Sequence, residues 1–293
     1  MTRTGRFLIA TMALCGTPVA AQETRKAPLS DTEDASITSV DVGVGRVHPV
    51  LALDLRNGDF VRGDFDDDAA NLDRVPVHAR IGLVWELSRD DRGDAVSWLM
   101  LQSSNGFHAA SPEERVNPRG WYESNNLAGI AARLAPDLTG ALTYTIKSSP
   151  NGASTTTHEL GVAGSLSGKT GLAALRPGFA ATWRPKGGGG LYTQATVEPG
   201  IDLSAGETPA RISIPAVIGI GWDDFYDGGS GDRLYGSAGI ALEQPLTIGT
   251  ARMKARIEAL ALVRDDRLRF LGGPAADTSV VVPYARISLS IVH

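Results

Sequence analysis

The sequence predicts an all-β fold, a closed antiparallel up-and-down transmembrane β-barrel of about 12 strands, on three observations. First, Val77, Ala79, Ile81, Leu83, Trp85 and Leu87 are apolar, while His78, Arg80, Gly82 and Glu86 fall between them, with Val84 the exception. A period of two marks a strand with one apolar and one wet face. Second, the pattern recurs about a dozen times, and no comparably long helix-period segment interrupts it after the N-terminus. Third, the connections alternate between short turns and long polar loops, as in barrels with short periplasmic turns and longer outward loops.

The N-terminus reads as an export signal. Arg3 and Arg6 precede an apolar stretch over 7–14, and Val19-Ala20-Ala21 supplies small residues before a cleavage site after Ala21. A charged start, a short apolar core and a small-residue site make residues 1–21 a secretory signal peptide, too short for an anchor. Cys15 does not make a lipoprotein, because Leu14 is bulky where a small residue is wanted. Beyond the signal there is no cysteine, so disulfides cannot hold the exported chain, whereas a ladder without open edges can. Loss of Arg3 and Arg6 takes the formal charge from −5 to −7, which gives no case for a nucleic-acid partner. Residues 22–40 are expected to be a flexible periplasmic lead-in, since 22–37 are polar and aperiodic, and 41–293 the barrel.

Strands are expected over 44–55, 77–88, 94–104, 121–134, 138–147, 157–167, 172–184, 191–201, 211–222, 233–243, 251–264 and 280–292. Each has about the length of a tilted membrane-spanning strand, roughly 9–11 residues. Short turns fall at 90–93, 135–137 and 168–170; long loops fall at 56–76, 105–120, 148–156, 223–232 and 265–279. Two connections depart from the alternation. Residues 185–190 are short for an outer loop, and 202–210 are long for a turn.

The two faces differ in chemistry. Trp85, Tyr122, Tyr144, Trp183 and Trp222 take the apolar face near strand ends, which suggests interfacial girdles, the inner one thin. A 6% aromatic content is low for such a barrel, and a soluble periplasmic β-protein is the alternative that this supports. The wet face carries Arg80, Arg133, Lys147, Arg176, Arg184, Arg211, Arg252, Lys254, Arg256 and Arg286, with Asp54, Glu86, Glu123, Glu159, Glu198, Glu243 and Glu258. An Arg or Lys facing lipid at the midplane costs about 2–4 kcal/mol, so these groups line an interior. Arg80, Arg176, Arg252, Lys254, Arg256 and Arg286 are the candidate lumen and selectivity residues. They either form a track for small anions or sugar acids, or pair with the inward carboxylates and fill the barrel without flux.

The chain ends Ile287-Ser288-Leu289-Ser290-Ile291-Val292-His293. It resembles a terminal strand read by the outer-membrane insertion machinery, although such strands usually end on an aromatic residue and His293 is not one. With outer-membrane lipid and lipopolysaccharide, that machinery completes the expected partners.

Catalytic and metal signatures are weak. None of His48, His78, His108 or His158 has Ser two residues on, the spacing that would place base and nucleophile on one strand face. His108 and Ser111 share a loop without a local feature that fixes them together. The stretch from Gly63 to Ala69 starts like a calcium loop, but Ala69 replaces the turn glycine and Val75 the bidentate Glu. Asp223, Asp224, Asp227 and Asp232 are equally unspecific. A solvated loop is the default for both; weak divalent binding that bridges lipopolysaccharide phosphates is the alternative. The run Gly187–Gly190 lacks the Lys-Ser/Thr of a phosphate cradle. No enzyme activity, cofactor or metal is expected.

The stretch from Pro118 to Glu123, with Leu142-Thr143-Tyr144-Thr145, Ser149-Pro150-Asn151-Gly152 and Glu159-Leu160, resembles an uncharacterised, porin-like group of bacterial exported barrel proteins. The likeness covers about a fifth of the chain. It implies an outer-membrane or periplasm-facing barrel and brings no catalytic residues.

Overall fold

The computed structural model of the chain describes residues 25–65, 72, 74–112, 114–204, 208–223, 225–226, 231–249, 251–271 and 279–293. The proposed signal peptide and the acidic run 66–71 lie outside the described residues.

Two short strands come first, β1 (Arg25–Ser30) and β2 (Ile37–Val42), paired as a hairpin. Then come β3 (Val47–Arg56) and the two-residue strands β4 (Phe60–Val61) and β5 (Asp64–Phe65). Five long strands follow: β6 (Val77–Arg89), β7 (Ala95–Phe107), β8 (Trp121–Ala135), β9 (Leu138–Ser148) and β10 (Thr157–Leu166). Next are β11 (Gly178–Lys186), β12 (Leu191–Val197), β13 (Gly200–Asp202), β14 (Arg211–Ser213) and β15 (Ala216–Trp222). The chain finishes with β16 (Arg233–Ile248), β17 (Ala251–Arg264), the helix α1 (Asp266–Arg269) and β18 (Val281–Val292).

Twelve staves close into one antiparallel barrel. The strands β12 and β13 form one stave, interrupted at Pro199, and β14 and β15 form another, interrupted at Pro215. A proline has no N–H to give to the ladder, so each break falls where a bond is missing. Closure comes from β18, which pairs with β3 through Val292↔Val50 to Arg286↔Arg56. Among the described residues the barrel sheet therefore has no open edge.

Long loops gather at one rim and short turns at the other. The turn after β6 is fixed by Asp90, whose backbone N–H donates to Asp94 O (2.9 Å) while its carboxylate accepts from the N–H groups of Arg92 and Asp94. The expected strand over 172–184 begins only at Gly178, because residues Gly171–Leu175 form a 3₁₀ turn. Arg176 caps that turn in the left-handed region (φ 48°), and Pro177 follows.

The outward face is apolar on every side. Leu51, Leu53, Ile81, Ile130, Leu142, Ile218, Ile257 and Ile287 each stand outward with 46–66% of their surface exposed. A water-soluble domain does not leave such a continuous belt uncovered; a hydrocarbon-facing barrel must. Trp85, Tyr144, Trp183 and Trp222 face outward. Tyr122 does not. It is 3% exposed and points inward, because a bulge sets Phe107 opposite Trp121 and Gly106 opposite Glu123. The extra residue reverses the alternation, and Trp121 takes the rim position, stacked on Phe107 at 5.9 Å.

The expected flexible lead-in is also corrected. The β1–β2 hairpin inserts into the barrel from the turn rim. Ala27, Leu29, Ile37, Val40 and Val42 are buried in one cluster with the inward residues Val50, Val84, Trp98, Met100, Leu127, Ala131, Ala141, Ala163 and Ala180. The hairpin is ordered because its apolar residues gain a wall to cover them. Complete burial of a Val, Leu or Ile is worth about 1.5–3 kcal/mol.

Candidate functional site in the barrel lumen

The hairpin turn is acidic and reaches a belt of inward cations. Asp31 carries the turn: its N–H donates to Ser36 O (2.7 Å), its carbonyl accepts from Ala35 N (3.0 Å) and its side chain accepts from Glu33 N (2.8 Å). Ala35 lies in the left-handed region (φ 63°) against the wall at Gly161. A Cβ at Gly161 would come within 2.7 Å of the Ala35 methyl and 2.4 Å of Thr143 Oγ1, so only glycine admits the turn there.

The contacts of the turn are mainly charged. Arg56 grips the Glu33 carboxylate with two nitrogens, at 2.6 and 3.2 Å, and also reaches Asp54 (3.3 Å) and Asp59 (3.4 Å). Asp31 accepts from Arg80 (3.2 Å), Asp34 accepts from Gln194 (2.9 Å), and Lys147 donates to the Glu33 carbonyl. Burial, the largest influence, would raise the Glu33 carboxyl, but Arg56, with His78 and Arg80 adding to it, outweighs burial and holds the group well below the usual carboxylate range. Burial and the neighbouring Asp31 push Asp34 upward instead.

His78 of β6 lies beside this grip. Its Nε2 is 3.1 Å from Asp59 Oδ1 and 2.6 Å from the Tyr122 hydroxyl. Its Nδ1 faces Glu33 Oε1 at 3.5 Å and Glu123 Oε2 at 3.4 Å. His108, from the loop after β7, packs edge-on against the Tyr122 ring and sets Nε2 2.9 Å from Glu114.

A second insertion comes from the loop rim. The tight turn between β4 and β5 places Arg62 inside, where it makes a bidentate pair with Glu159, both bonds 2.8 Å, with Arg184 (3.0 Å) and Lys147 (3.5 Å) on the same carboxylate. Gly63 (φ 94°) allows this, since a Cβ there would sit 2.6 Å from Tyr235 and Leu268. Phe60, Tyr192, Phe225, Tyr235 and Leu268 pack over Arg62 and Glu159, and the Arg62 guanidinium stands 5.0 Å from the Tyr192 ring. Asp265 caps α1 by accepting from Leu268 N (2.7 Å), which seats Leu268 in that cluster.

A further group of inward cations stands on the side formed by β13 to β18. Arg256 pairs with Glu198 (2.7 Å), Glu258 (2.9 Å) and Glu243 (3.6 Å); Lys254 pairs with Glu243 (3.2 Å) and Arg286 with Glu258 (2.8 Å). Arg252 donates to Thr247 Oγ1 (3.0 Å). These side chains stay partly exposed although they face inward. Arg80 belongs to the hairpin contacts, and Arg176 to the 3₁₀ turn at the rim rather than to a stave. Of the expected lumen residues, Arg252, Lys254, Arg256 and Arg286 therefore form one group, the last three paired with carboxylates and Arg252 bonded to Thr247, while Arg80 and Arg176 stand apart from it.

Several functional groups escaped sequence reading, namely the hairpin, Arg62, and the setting of His78 and Tyr122. One signal was present. Val84, Trp98, Met100 and Leu127 interrupt the wet face with apolar side chains, and only an apolar occupant of the lumen accounts for them. Of the acidic loops, Asp223 N donates to the Asp232 carboxylate (3.1 Å), whereas Asp224 and Asp227 lie outside the described residues.

No family model and no curated protein matches this chain. Among solved structures it is similar to the NanC porin (TM-score 0.44, 10% identity, 83% of this chain and 98% of that one). It is similar to LpxR from Salmonella typhimurium (0.44, 10%, 82% and 99%). A bacterial polysaccharide outer membrane secretin gives comparable values (0.43, 9%, 84% and 97%). These likenesses assign nothing to this chain, and the barrel rests on its own strand pairing.

Proposed function

We propose that this chain is an outer-membrane barrel whose own N-terminal hairpin closes the lumen at rest, and which passes small solutes, anions in preference, once the hairpin is displaced. One observation carries the reading: the β1–β2 hairpin sits inside the barrel with its apolar residues on the wall and its acidic turn on Arg56, Arg80 and Lys147. The partly exposed track of Arg252, Lys254 and Arg256 supports the anion preference, because cations at consecutive inward positions favour negative solutes. A passive role fits the absence of a His-x-Ser pair in the sequence. The partners of this reading are outer-membrane lipid, lipopolysaccharide at the long loops and the insertion machinery acting on the last strand.

A second reading has an observation of its own. Glu198, Glu243 and Glu258 pair with the same cations, as a filled structural barrel without flux would require. Planar-bilayer recording separates the two. The full chain should be nearly silent, and a chain without residues 25–42 should conduct steadily. A folded but silent deletion variant would favour the structural barrel.

A further inference from the structure

We propose that Glu33 on the hairpin turn, His78 of β6 and Glu123 of β8 form a binding site for one divalent cation of the zinc or manganese type, which fastens the hairpin to the barrel wall. The proposal rests on the hairpin being the plug, and it adds what holds that plug in place.

The three residues offer ligand atoms within 4.8 Å of one another, and all are buried. His78 Nδ1 lies 3.5 Å from Glu33 Oε1 and 3.4 Å from Glu123 Oε2, yet makes no hydrogen bond, and the side chain is 2% exposed. A buried ring nitrogen aimed between two carboxylates and bonded to neither carries the desolvation cost of burial with no hydrogen bond to offset it. An ion among the three atoms removes that cost, and the 3.5 and 3.4 Å separations of Nδ1 from the two carboxylate oxygens suit neighbouring ligands of one ion with bonds of about 2.0–2.2 Å.

The surroundings fit a metal ligand. On the other side of the ring, Nε2 is held by Asp59 and the Tyr122 hydroxyl, the kind of outer contact that fixes the orientation of a ligating imidazole. One nitrogen with carboxylate oxygens suits zinc or manganese better than calcium, which takes oxygen alone. Charge points the same way. The Arg56 guanidinium is within ion-pair distance of Glu33, Asp54 and Asp59 at once, so a single side chain is shared among three carboxylates. Asp59 Oδ2 is also buried without a hydrogen bond. A dication offsets this surplus where a protonated imidazole supplies half as much. Because Glu33 comes from the hairpin while His78 and Glu123 come from the wall, the ion would tie the two together.

The test is calorimetric titration of Zn²⁺ into the full chain, folded in detergent and stripped with a chelator. The expected result is one saturable site, weakened roughly 100-fold by Glu123→Gln, His78→Asn or Glu33→Gln, at the upper end of the loss seen for outer-shell partners. The near-isosteric Glu→Gln changes preserve packing, and the manganese resonance spectrum of the unaltered chain reports on the site without any variant. In Gly161→Val, where the turn is displaced but all three ligands remain, zinc affinity should fall as well. No saturable binding, or an affinity indifferent to these substitutions, would overturn the site. Failure of the plug reading looks different: Gly161→Val would then leave bilayer conductance unchanged.

Discussion

At the scale of single residues, the lumen is governed by side chains that have little freedom to be anything else. Gly161 is the clearest, because any Cβ would collide with the hairpin turn and Thr143. Gly161→Val should raise bilayer conductance and open residues 25–42 to protease, while the barrel keeps its heat-modifiable gel mobility. Arg256 makes the second case. It serves Glu198, Glu243 and Glu258 together, and Arg256→Met should leave three carboxylates facing one another without it. Breaking a fully buried pair costs about 3–5 kcal/mol, and solvent reaching Arg256 reduces this, so a loss of about 1–3 kcal/mol in urea unfolding from lipid vesicles is expected. Tyr122 shows where reading by residue fails. Trp121 and Tyr122 are neighbours in a strand, so one must face lipid and the other the lumen, and the bulge that decides between them has no mark in a single sequence.

Among elements, the staves were legible because alternation is a local property. An Ile or Leu at every second position over ten residues admits one arrangement, and strands such as β6, β9 and β17 begin within a residue of where the pattern places them. The hairpin was not legible, because β1 and β2 are only six residues each and gain stability from a wall distant in sequence. Their apolar residues became meaningful only beside Val84, Trp98 and Met100, which break the alternation for the same reason. The 3₁₀ turn before β11 was hidden for a different reason: Gly171-Leu172-Ala173-Ala174-Leu175 reads as apolar strand until Pro177 ends it. A lipid-face substitution measures the elements directly. Ile81→Arg, on the outward face of β6, should cost about 2–4 kcal/mol if it lies near the bilayer midplane, measured by the same vesicle unfolding.

For the whole molecule, the wall and its contents divide the work. Twelve paired staves hold the barrel without disulfides, and the hairpin and the Arg62 turn occupy the lumen from opposite rims. With the hairpin displaced by Gly161→Val, neutralising Arg252, Lys254 and Arg256 should shift the reversal potential toward cations in a salt gradient. An unchanged potential would remove the anion track and leave a conduit without charge preference. The account as a whole depends on the hairpin being seated inside the barrel. The sole cysteine, Cys15, lies in the expected signal peptide, so single cysteines can be placed in the mature chain at will. Maleimide labelling of Ser30→Cys, buried between hairpin and wall, against Asp41→Cys, exposed on β2, is the direct measurement. Fast labelling at 41 with strong protection at 30 is the predicted result. Equal rates at both positions in the folded barrel would contradict it.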